Sequence, residues 1–135
     1  MAQVLVAEDE AFTALAVVDY LETLGHTVRD APDGVAALQV VEEFRPDVLV
    51  TDLMMPNMDG GELIRRLDDR TGERVVPVIL ITAVPEARLP QGLRYDGYLG
   101  KPVNYGALGQ LVDRLAVNGK PANGRDDVAR GADAT

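Results

Sequence analysis

The sequence contains no cysteine and no tryptophan, and its one histidine, His26, follows a predicted helix stop at Gly25. Without cysteine there are no disulfides, no thiolate chemistry and no cysteine zinc site, which fits a reducing compartment such as the cytoplasm. A single histidine cannot form a histidine-based metal cluster, and we interpret His26 as a turn residue. No apolar run approaches the roughly 20 residues needed to cross a bilayer. No basic segment followed by an apolar one marks a secretory signal.

Basic residues are scarce relative to acidic ones. The chain has 13 Lys and Arg against 22 Asp and Glu, which gives a formal net charge of −9. Nonspecific nucleic-acid binding requires a basic face and is therefore disfavoured. The acidic balance suits a cytoplasmic protein that holds a divalent cation and meets protein partners. A chain of 135 residues is long enough for one domain with a proper core.

Short apolar runs alternate with segments of helical periodicity, which predicts a parallel sheet whose strands are joined by right-handed helical crossovers. The predicted strands cover about Gln3–Ala7, Thr27–Arg29, Asp47–Thr51, Val75–Ile81 and Gly97–Gly100. The predicted helices cover about Ala11–Leu24, Val35–Phe44, a segment that begins after the N-cap Asp59, and Asn104–Val117. The sequence therefore predicts one α/β domain over residues 1–117.

Two segments depart from this alternation. Two prolines and two glycines fall within residues 83–97, so the fourth helix is predicted to be short or irregular, with one to two turns at most. Residues 118–135 contain few large apolar side chains and cannot bury enough surface to order themselves. We therefore predict a disordered carboxyl-terminal tail.

Four of the predicted strands end in polar residues. Glu8 and Asp9 follow the first strand, Asp52 ends the third, Thr82 ends the fourth and Lys101 ends the fifth. Ligands of open parallel sheets bind at the carboxyl edge of the strands, so we expect these five side chains to share one site. Carboxylates, a hydroxyl and an amine together suggest phosphoryl transfer.

Each of these residues is a weak signal when taken alone. The run Glu8-Asp9-Glu10 is more often a solvated cluster at a helix start, where acidic residues are favoured. Asp52 alone could be a turn residue at a strand end. Thr82 and Lys101 alone carry almost no information. The interpretation therefore depends on their order along the chain and on the strands that deliver them.

That order resembles the receiver domain of two-component response regulators. The resemblance covers about residues 3–117, and the motifs that carry it are Glu8-Asp9, Asp52–Gly60 (with Met-Pro-Asn-Met-Asp-Gly at its end), Thr82-Ala83 and Lys101-Pro102. It implies a doubly wound, five-stranded parallel sheet with helices on both faces. In such a fold, which is flavodoxin-like, the strand order is 2-1-3-4-5.

The resemblance implies that Asp52 accepts a phosphoryl group from a histidine of a histidine kinase or a histidine phosphotransfer protein. A carboxylate that attacks an anionic phosphoryl group is repelled by it, so the charge on the phosphoryl oxygens must be neutralised. The resemblance implies that Mg²⁺ does this, held by Glu8, Asp9, Asp52 and the main-chain carbonyl of Met54. These oxygen ligands are the kind that Mg²⁺ prefers.

The resemblance also implies roles for the remaining residues. Lys101 would bind one phosphoryl oxygen and Thr82 would donate its hydroxyl to another. Thr82 would move toward the phosphoryl group, and Tyr98 would turn inward as the aromatic partner of this switch. The small Ala83 would leave the site open to an incoming phosphohistidine, and the Lys101-Pro102 peptide bond is expected to be cis.

The expected function is that of a single-domain response regulator, which is not an enzyme acting on a separate substrate and which signals by protein–protein contact. The alternative is a degenerate receiver that docks without phosphorylation, which the intact acids, Thr82 and Lys101 disfavour.

A hydrolase with an aspartate nucleophile typically needs a second acid two residues after that aspartate, and this position is Met54 here. Neither a dinucleotide-binding nor a P-loop motif is present. The sequence leaves open a homodimer built on the first or last helix.

Overall fold

The apolar runs form strands and the periodic segments form helices in the computed structural model, which describes residues 1–71 and 75–118. In chain order the elements are β1 (Gln3–Ala7), α1 (Ala11–Thr23), β2 (Thr27–Ala31), α2 (Gly34–Val41), β3 (Val48–Thr51), α3 (Gly60–Thr71), β4 (Val78–Thr82), a 3-10 turn (Glu86–Arg88), β5 (Gly97–Gly100) and α4 (Tyr105–Asn118). The tail predicted to be disordered lies outside the described residues from residue 119 onward. Among the described helices, none is both long and apolar enough to cross a bilayer.

The five strands form one parallel sheet in the order β2-β1-β3-β4-β5, which confirms the predicted topology. Its register aligns the carboxyl ends of the strands. Ala7 at the end of β1 pairs with Ala31 on one side and Thr51 on the other, and Thr82 pairs with Gly100. The residues that directly follow these positions therefore meet at one edge of the sheet.

The sheet is covered on both faces, which explains why its central strands are continuous apolar runs. Within β1, Val4 and Val6 face one core layer while Leu5 and Ala7 face the other. The first layer is completed by residues of α1 and α4, chiefly Val17, Leu21, Leu108 and Val112. The second is completed by residues of α2 and α3, chiefly Ala37, Leu63, Ile64 and Leu67.

The predicted element boundaries are shifted at several places for local reasons. The fourth strand begins at Val78 rather than Val75, because Pro77 has no N–H to donate to a neighbouring strand. The second helix ends at Val41, and Phe44 lies in the following turn with its side chain buried in the core. The second strand continues to Ala31, two residues further than predicted.

The fourth crossover contains only the 3-10 turn Glu86–Arg88, as predicted from its prolines and glycines. Arg94 fastens this segment to the body of the domain. Its guanidinium donates two hydrogen bonds of 2.8 and 2.9 Å to the carboxylate of Asp68 on α3 and one of 3.0 Å to the carbonyl of Val76. Leu93 packs beside it against the second core layer. Ion pairing and apolar contact thus replace the packing that a helix would provide.

His26 lies in the turn between α1 and β2, as interpreted from the sequence, but its ring is also a structural link. Nδ1 accepts a hydrogen bond from the Ala2 N–H at 3.1 Å, and Nε2 lies 3.1 Å from a carboxylate oxygen of Asp113 on α4. The side chain is only 7% exposed. The imidazole therefore connects the start of the chain to the last helix.

We predict that Gly60→Ala destabilises the fold and that the neighbouring Gly61→Ala does not. A Cβ at Gly60 would lie 2.2 Å from the main-chain oxygen of Asp52, whereas one at Gly61 meets nothing closer than 3.5 Å. We expect a loss of about 3 kcal/mol for the first variant. For the second we expect a change within about 1 kcal/mol, because alanine favours a helix. Urea unfolding of both variants measures this, and equal free energies of unfolding would contradict the close approach at Gly60.

Candidate functional site

The carboxyl edge of the sheet brings three carboxylates together. Glu8, Asp9 and Asp52 each offer an oxygen, and these oxygens lie within 4.8 Å of one another. The main chain places them, because the N–H of Glu8 bonds to Ala31 and that of Asp52 bonds to Ala7, both at 3.0 Å, which extends the strand pairing into the site. Asp9 is exposed, whereas Glu8 and Asp52 are buried.

The ammonium group of Lys101 lies among these acids. Its Nζ is 2.9 Å from Oδ2 of Asp52, 3.0 Å from Oε1 of Glu8 and 3.1 Å from Oε1 of Glu10. The main-chain N–H of Lys101 bonds to the carbonyl of Thr82 at 2.9 Å, which fixes the start of the side chain beside β4. The Lys101-Pro102 peptide bond is cis, as expected from the sequence.

Burial and charge pairing act in opposite directions on the pKa values of Lys101 and Glu8. Burial alone would lower the pKa of Lys101, but its hydrogen bonds to Asp52 and Glu10 and its ion pair with Glu8 outweigh burial and raise that pKa well above its ordinary value. Burial raises the pKa of Glu8 above its usual range, against the opposing effects of the hydrogen bond from the Glu10 N–H and of the ion pair with Lys101. The ammonium is therefore firmly charged, and it is the counter-charge of the buried carboxylates of Glu8 and Asp52.

Asp52 is held at both of its carboxylate oxygens. Oδ1 accepts a hydrogen bond of 2.6 Å from the N–H of Leu53 and a longer one of 3.4 Å from that of Met54, while Oδ2 accepts the bond from Lys101. The Met54 side chain is exposed and does not cover the acid. The carboxylate is thus oriented before any ligand binds.

Thr82 and Tyr98 do not contact Asp52 through any hydrogen bond in the described part of the chain. Instead both hold the same loop residue, Val84. Oγ1 of Thr82 accepts a hydrogen bond of 3.2 Å from the Val84 N–H, and the Tyr98 hydroxyl donates one of 2.6 Å to the Val84 carbonyl. The two residues predicted to form a switch are therefore joined through one peptide segment.

An open cleft of about 650 Å³ leads to Asp52. It is lined by Asp9, Glu10, Thr13, Asp52, Ala83, Lys101, Pro102, Val103 and Tyr105. From the sequence alone, Glu10 is interpreted only as part of a helix-start cluster. Its contact with Lys101 joins residues that are 91 positions apart in the chain. The only feature of the sequence that indicates a role for Glu10 is its place as the third acid of the run Glu8-Asp9-Glu10.

The acidic cluster fits a hard divalent cation. Oε2 of Glu8 accepts the N–H of Glu10 at 3.0 Å, but Oε1 is buried without a hydrogen-bond partner among the described residues. Lys101 lies within ion-pair distance of that oxygen but not in hydrogen-bond geometry. An unsatisfied buried carboxylate oxygen beside two further carboxylates is a donor set for Mg²⁺, which takes oxygen ligands and keeps several waters.

The fold and the site together define the class of receiver-type signalling domains. A family model for the response regulator receiver domain matches residues 4–113. The chain is 37% identical over 116 residues to the response regulator MprA of Mycobacterium ulcerans, covering 84% of this chain and 48% of that protein. It is 34% identical over 119 residues to the sensor kinase CckA of Brucella abortus, covering 84% of this chain and 12% of that protein.

Solved structures agree with these sequence relatives. The receiver domain of a Francisella response regulator superposes with a TM-score of 0.79 at 32% identity, covering 89% of this chain and all of that one. The Vibrio cholerae chemotaxis protein CheY4 superposes with a TM-score of 0.77 at 27% identity, covering 85% of this chain and 98% of that one. The chain belongs to the response regulator receiver domain family of two-component systems. It spans about half the length of MprA and a small part of CckA.

We predict that Lys101→Met lowers stability in metal-free buffer and tightens Mg²⁺ binding. Removal of the ammonium leaves Glu8 and Asp52 buried without a counter-charge, which costs roughly 2 kcal/mol at this partly open site. The same removal takes a competing cation away from the metal, so we expect about tenfold tighter Mg²⁺ binding. Urea unfolding with and without Mg²⁺ measures both effects.

Arg65→Met is the matched control, because it removes a cation that is exposed and pairs with Glu62 on α3. We expect it to change stability by less than about 1 kcal/mol and to leave Mg²⁺ binding unchanged. A Lys101→Met variant that behaves like this control would show that Lys101 does not compensate the buried acids.

Proposed function

We propose that this chain is a phosphorylatable response regulator that accepts a phosphoryl group on Asp52 from the histidine of a histidine kinase or phosphotransfer protein. The observation that carries the proposal is the position of Asp52. Its carboxylate is buried at the base of the cleft, with one oxygen on Lys101 and with Glu8 and Asp9 beside it. We retain the single-domain arrangement and signalling by protein contact as parts of the proposal.

In the proposed reaction a carboxylate oxygen of Asp52 attacks the phosphorus atom of the phosphohistidine. The new O–P bond forms as the P–N bond breaks, and the electron pair of that bond stays on the imidazole nitrogen. Lys101 binds an equatorial phosphoryl oxygen, for which its charged state is suited. Mg²⁺, when bound, neutralises charge on the phosphoryl oxygens. Glu8, Asp9, Asp52 and the main-chain carbonyl of Met54 are its proposed ligands.

The switch is proposed to run through Val84. Thr82 would give up its bond with the Val84 N–H and donate its hydroxyl to a phosphoryl oxygen. The bond from the Tyr98 hydroxyl to the Val84 carbonyl supports a coupled movement, because the loop and the aromatic ring are already joined. Phosphorylation would thus be detected as a change in the loop after β4.

An apolar surface beside the cleft supports a protein phosphodonor. Phe12 and Leu15 are 89% and 66% exposed, and their spacing of three residues places them on one side of α1. Thr13, between them in sequence, lines the cleft. A buried acceptor requires the donor to approach closely, so the partner would cover this surface. Receiver domains interact with histidine kinases and phosphotransfer proteins, and part of the sensor kinase CckA is similar to this chain.

We predict that the wild type gains one phosphoryl group in the presence of Mg²⁺ and a small phosphodonor, and that Asp52→Asn does not. Intact-mass measurement detects the adduct, and Asp19→Asn, an exposed acid on α1, is the matched control that keeps it. Binding of beryllofluoride with Mg²⁺ tests the acceptor independently of the rate of hydrolysis. Failure of both experiments would reject phosphorylation and favour the docking-module alternative.

We predict that Phe12→Ala slows phosphotransfer from a phosphorylated protein donor by about tenfold, as expected for loss of a large aromatic contact. Transfer from a panel of histidine kinases and phosphotransfer proteins would first identify the fastest donor. Phosphorylation by a small donor should not change, because Phe12 lies outside the cleft lining. Val117→Ala removes an exposed apolar side chain on α4 and is the control. An equal loss with both donor types would show that Phe12 supports the site rather than a partner.

A further inference from the structure

The side chain of Glu10 has an unusual position for the N-cap of a helix. N-cap side chains normally accept a hydrogen bond from the first turn of the main chain, and Glu10 makes no such bond with α1. Its Oε1 instead lies 3.1 Å from Nζ of Lys101 and accepts a hydrogen bond of 2.9 Å from the hydroxyl of Thr13. The carboxylate is thus directed across the cleft, with Thr13 holding it.

Glu10 differs from the other two partners of Lys101 in its exposure. The Glu10 side chain is 64% exposed, whereas those of Glu8 and Asp52 are 0% and 8% exposed. Glu10 and Asp9 both line the cleft together with Asp52, and both are exposed to solvent. Glu10 therefore stands at the mouth of the cleft while Asp52 lies at its base.

The ammonium of Lys101 has three hydrogens to donate and three carboxylates around it. A phosphoryl group on Asp52 engages Lys101 by replacing one of these contacts. The contact with Glu10 is the one that water can replace most readily, because Glu8 and Asp52 are buried. The charge of Glu10 remains at the mouth of the cleft whether or not the contact is made.

We propose that Glu10 is a specificity-determining residue that disfavours small dianionic phosphodonors at Asp52. This inference rests on the proposed function. A free dianion meets the Glu10 carboxylate before it reaches Lys101, and the repulsion scales with the charge of the donor. A protein donor covers the cleft from the side of α1 and delivers its phosphoryl group with contact energy that a small molecule lacks. Glu10 thus biases the domain toward a protein source of phosphoryl groups.

Two small donors that differ in charge separate this effect from a general change at the site. With acetyl phosphate, a dianion, Asp52 attacks phosphorus, the P–O bond to the acetyl group breaks and acetate leaves with the electron pair. With phosphoramidate, a monoanion protonated on nitrogen, the P–N bond breaks and ammonia leaves with the electron pair. The acceptor and the product are the same in both reactions.

The experiment measures the second-order rate constant of Asp52 phosphorylation with both donors in wild type, Glu10→Gln and Glu22→Gln. Glutamine keeps an oxygen that can contact Lys101 and Thr13 but removes the charge. Glu22 is exposed and lies twelve residues further along α1, about 18 Å from Glu10, so it controls for net charge. We expect Glu10→Gln to raise the rate about fivefold with acetyl phosphate and about twofold with phosphoramidate. Salt at about 0.5 M should remove most of the difference.

An equal change with both donors, or no change, would overturn the role of Glu10 in donor choice, provided that the wild type reacts. Glu10→Asp keeps the charge with a shorter side chain, and it should retain the donor preference of the wild type. A wild type that reacts with neither donor and forms no beryllofluoride complex would overturn the proposed function itself. These two failures are therefore distinguishable in one set of measurements.

Discussion

The ammonium of Lys101 is the constraint on which the rest of the site depends. Buried carboxylates repel one another and lose hydration, and the Lys101 ammonium opposes both effects because it lies 3.0 Å from Glu8 and 2.9 Å from Asp52. Lys101 provides that cation from the end of β5, the strand at the edge of the sheet. A cationic ligand competes with Lys101 for the carboxylates of Glu8 and Asp52, whereas an anionic ligand can bind to the Lys101 ammonium. The site is therefore suited to an anion bound together with a metal.

The register of the sheet makes this arrangement possible. Glu8 and Asp52 are adjacent because Ala7 and Thr51 pair in neighbouring strands, and Asp52 continues the pairing with its own N–H. The turn that follows must then pass very close to Asp52, which Gly60 permits because it has no Cβ. The close approach of the Gly60 backbone to Asp52 is thus a steric requirement for a glycine at this position. The pairing of β1 with β3, the close approach at Gly60 and the position of Asp52 are therefore consequences of one backbone path.

The fold, and the meeting of Glu8, Asp9, Asp52 and Lys101 at one edge of the sheet, could be predicted from the sequence because both depend on local patterns. Buried strands are short apolar runs, and the residue after each run marks the carboxyl edge of the sheet. The contacts of Glu10, His26 and Arg94 could not be predicted in the same way. Each is a polar side chain whose partner is distant in sequence, and no periodicity encodes such a pairing. Helix and strand ends were shifted where a single residue, such as Pro77, overrides the pattern.

The shortened fourth crossover limits how a change at Asp52 can spread. Val84 is held by Thr82 and Tyr98 at one end of the segment, and Arg94 fixes the other end to α3 and to the residues just before β4. A rigid helix would carry a displacement along its whole length, whereas a segment with one 3-10 turn absorbs it in its own dihedral angles. In the proposed switch, a change at Val84 would therefore alter the loop between these anchors together with the Tyr98 ring. Under the proposed function, that loop, rather than a helix face, would present the state of Asp52 to a partner.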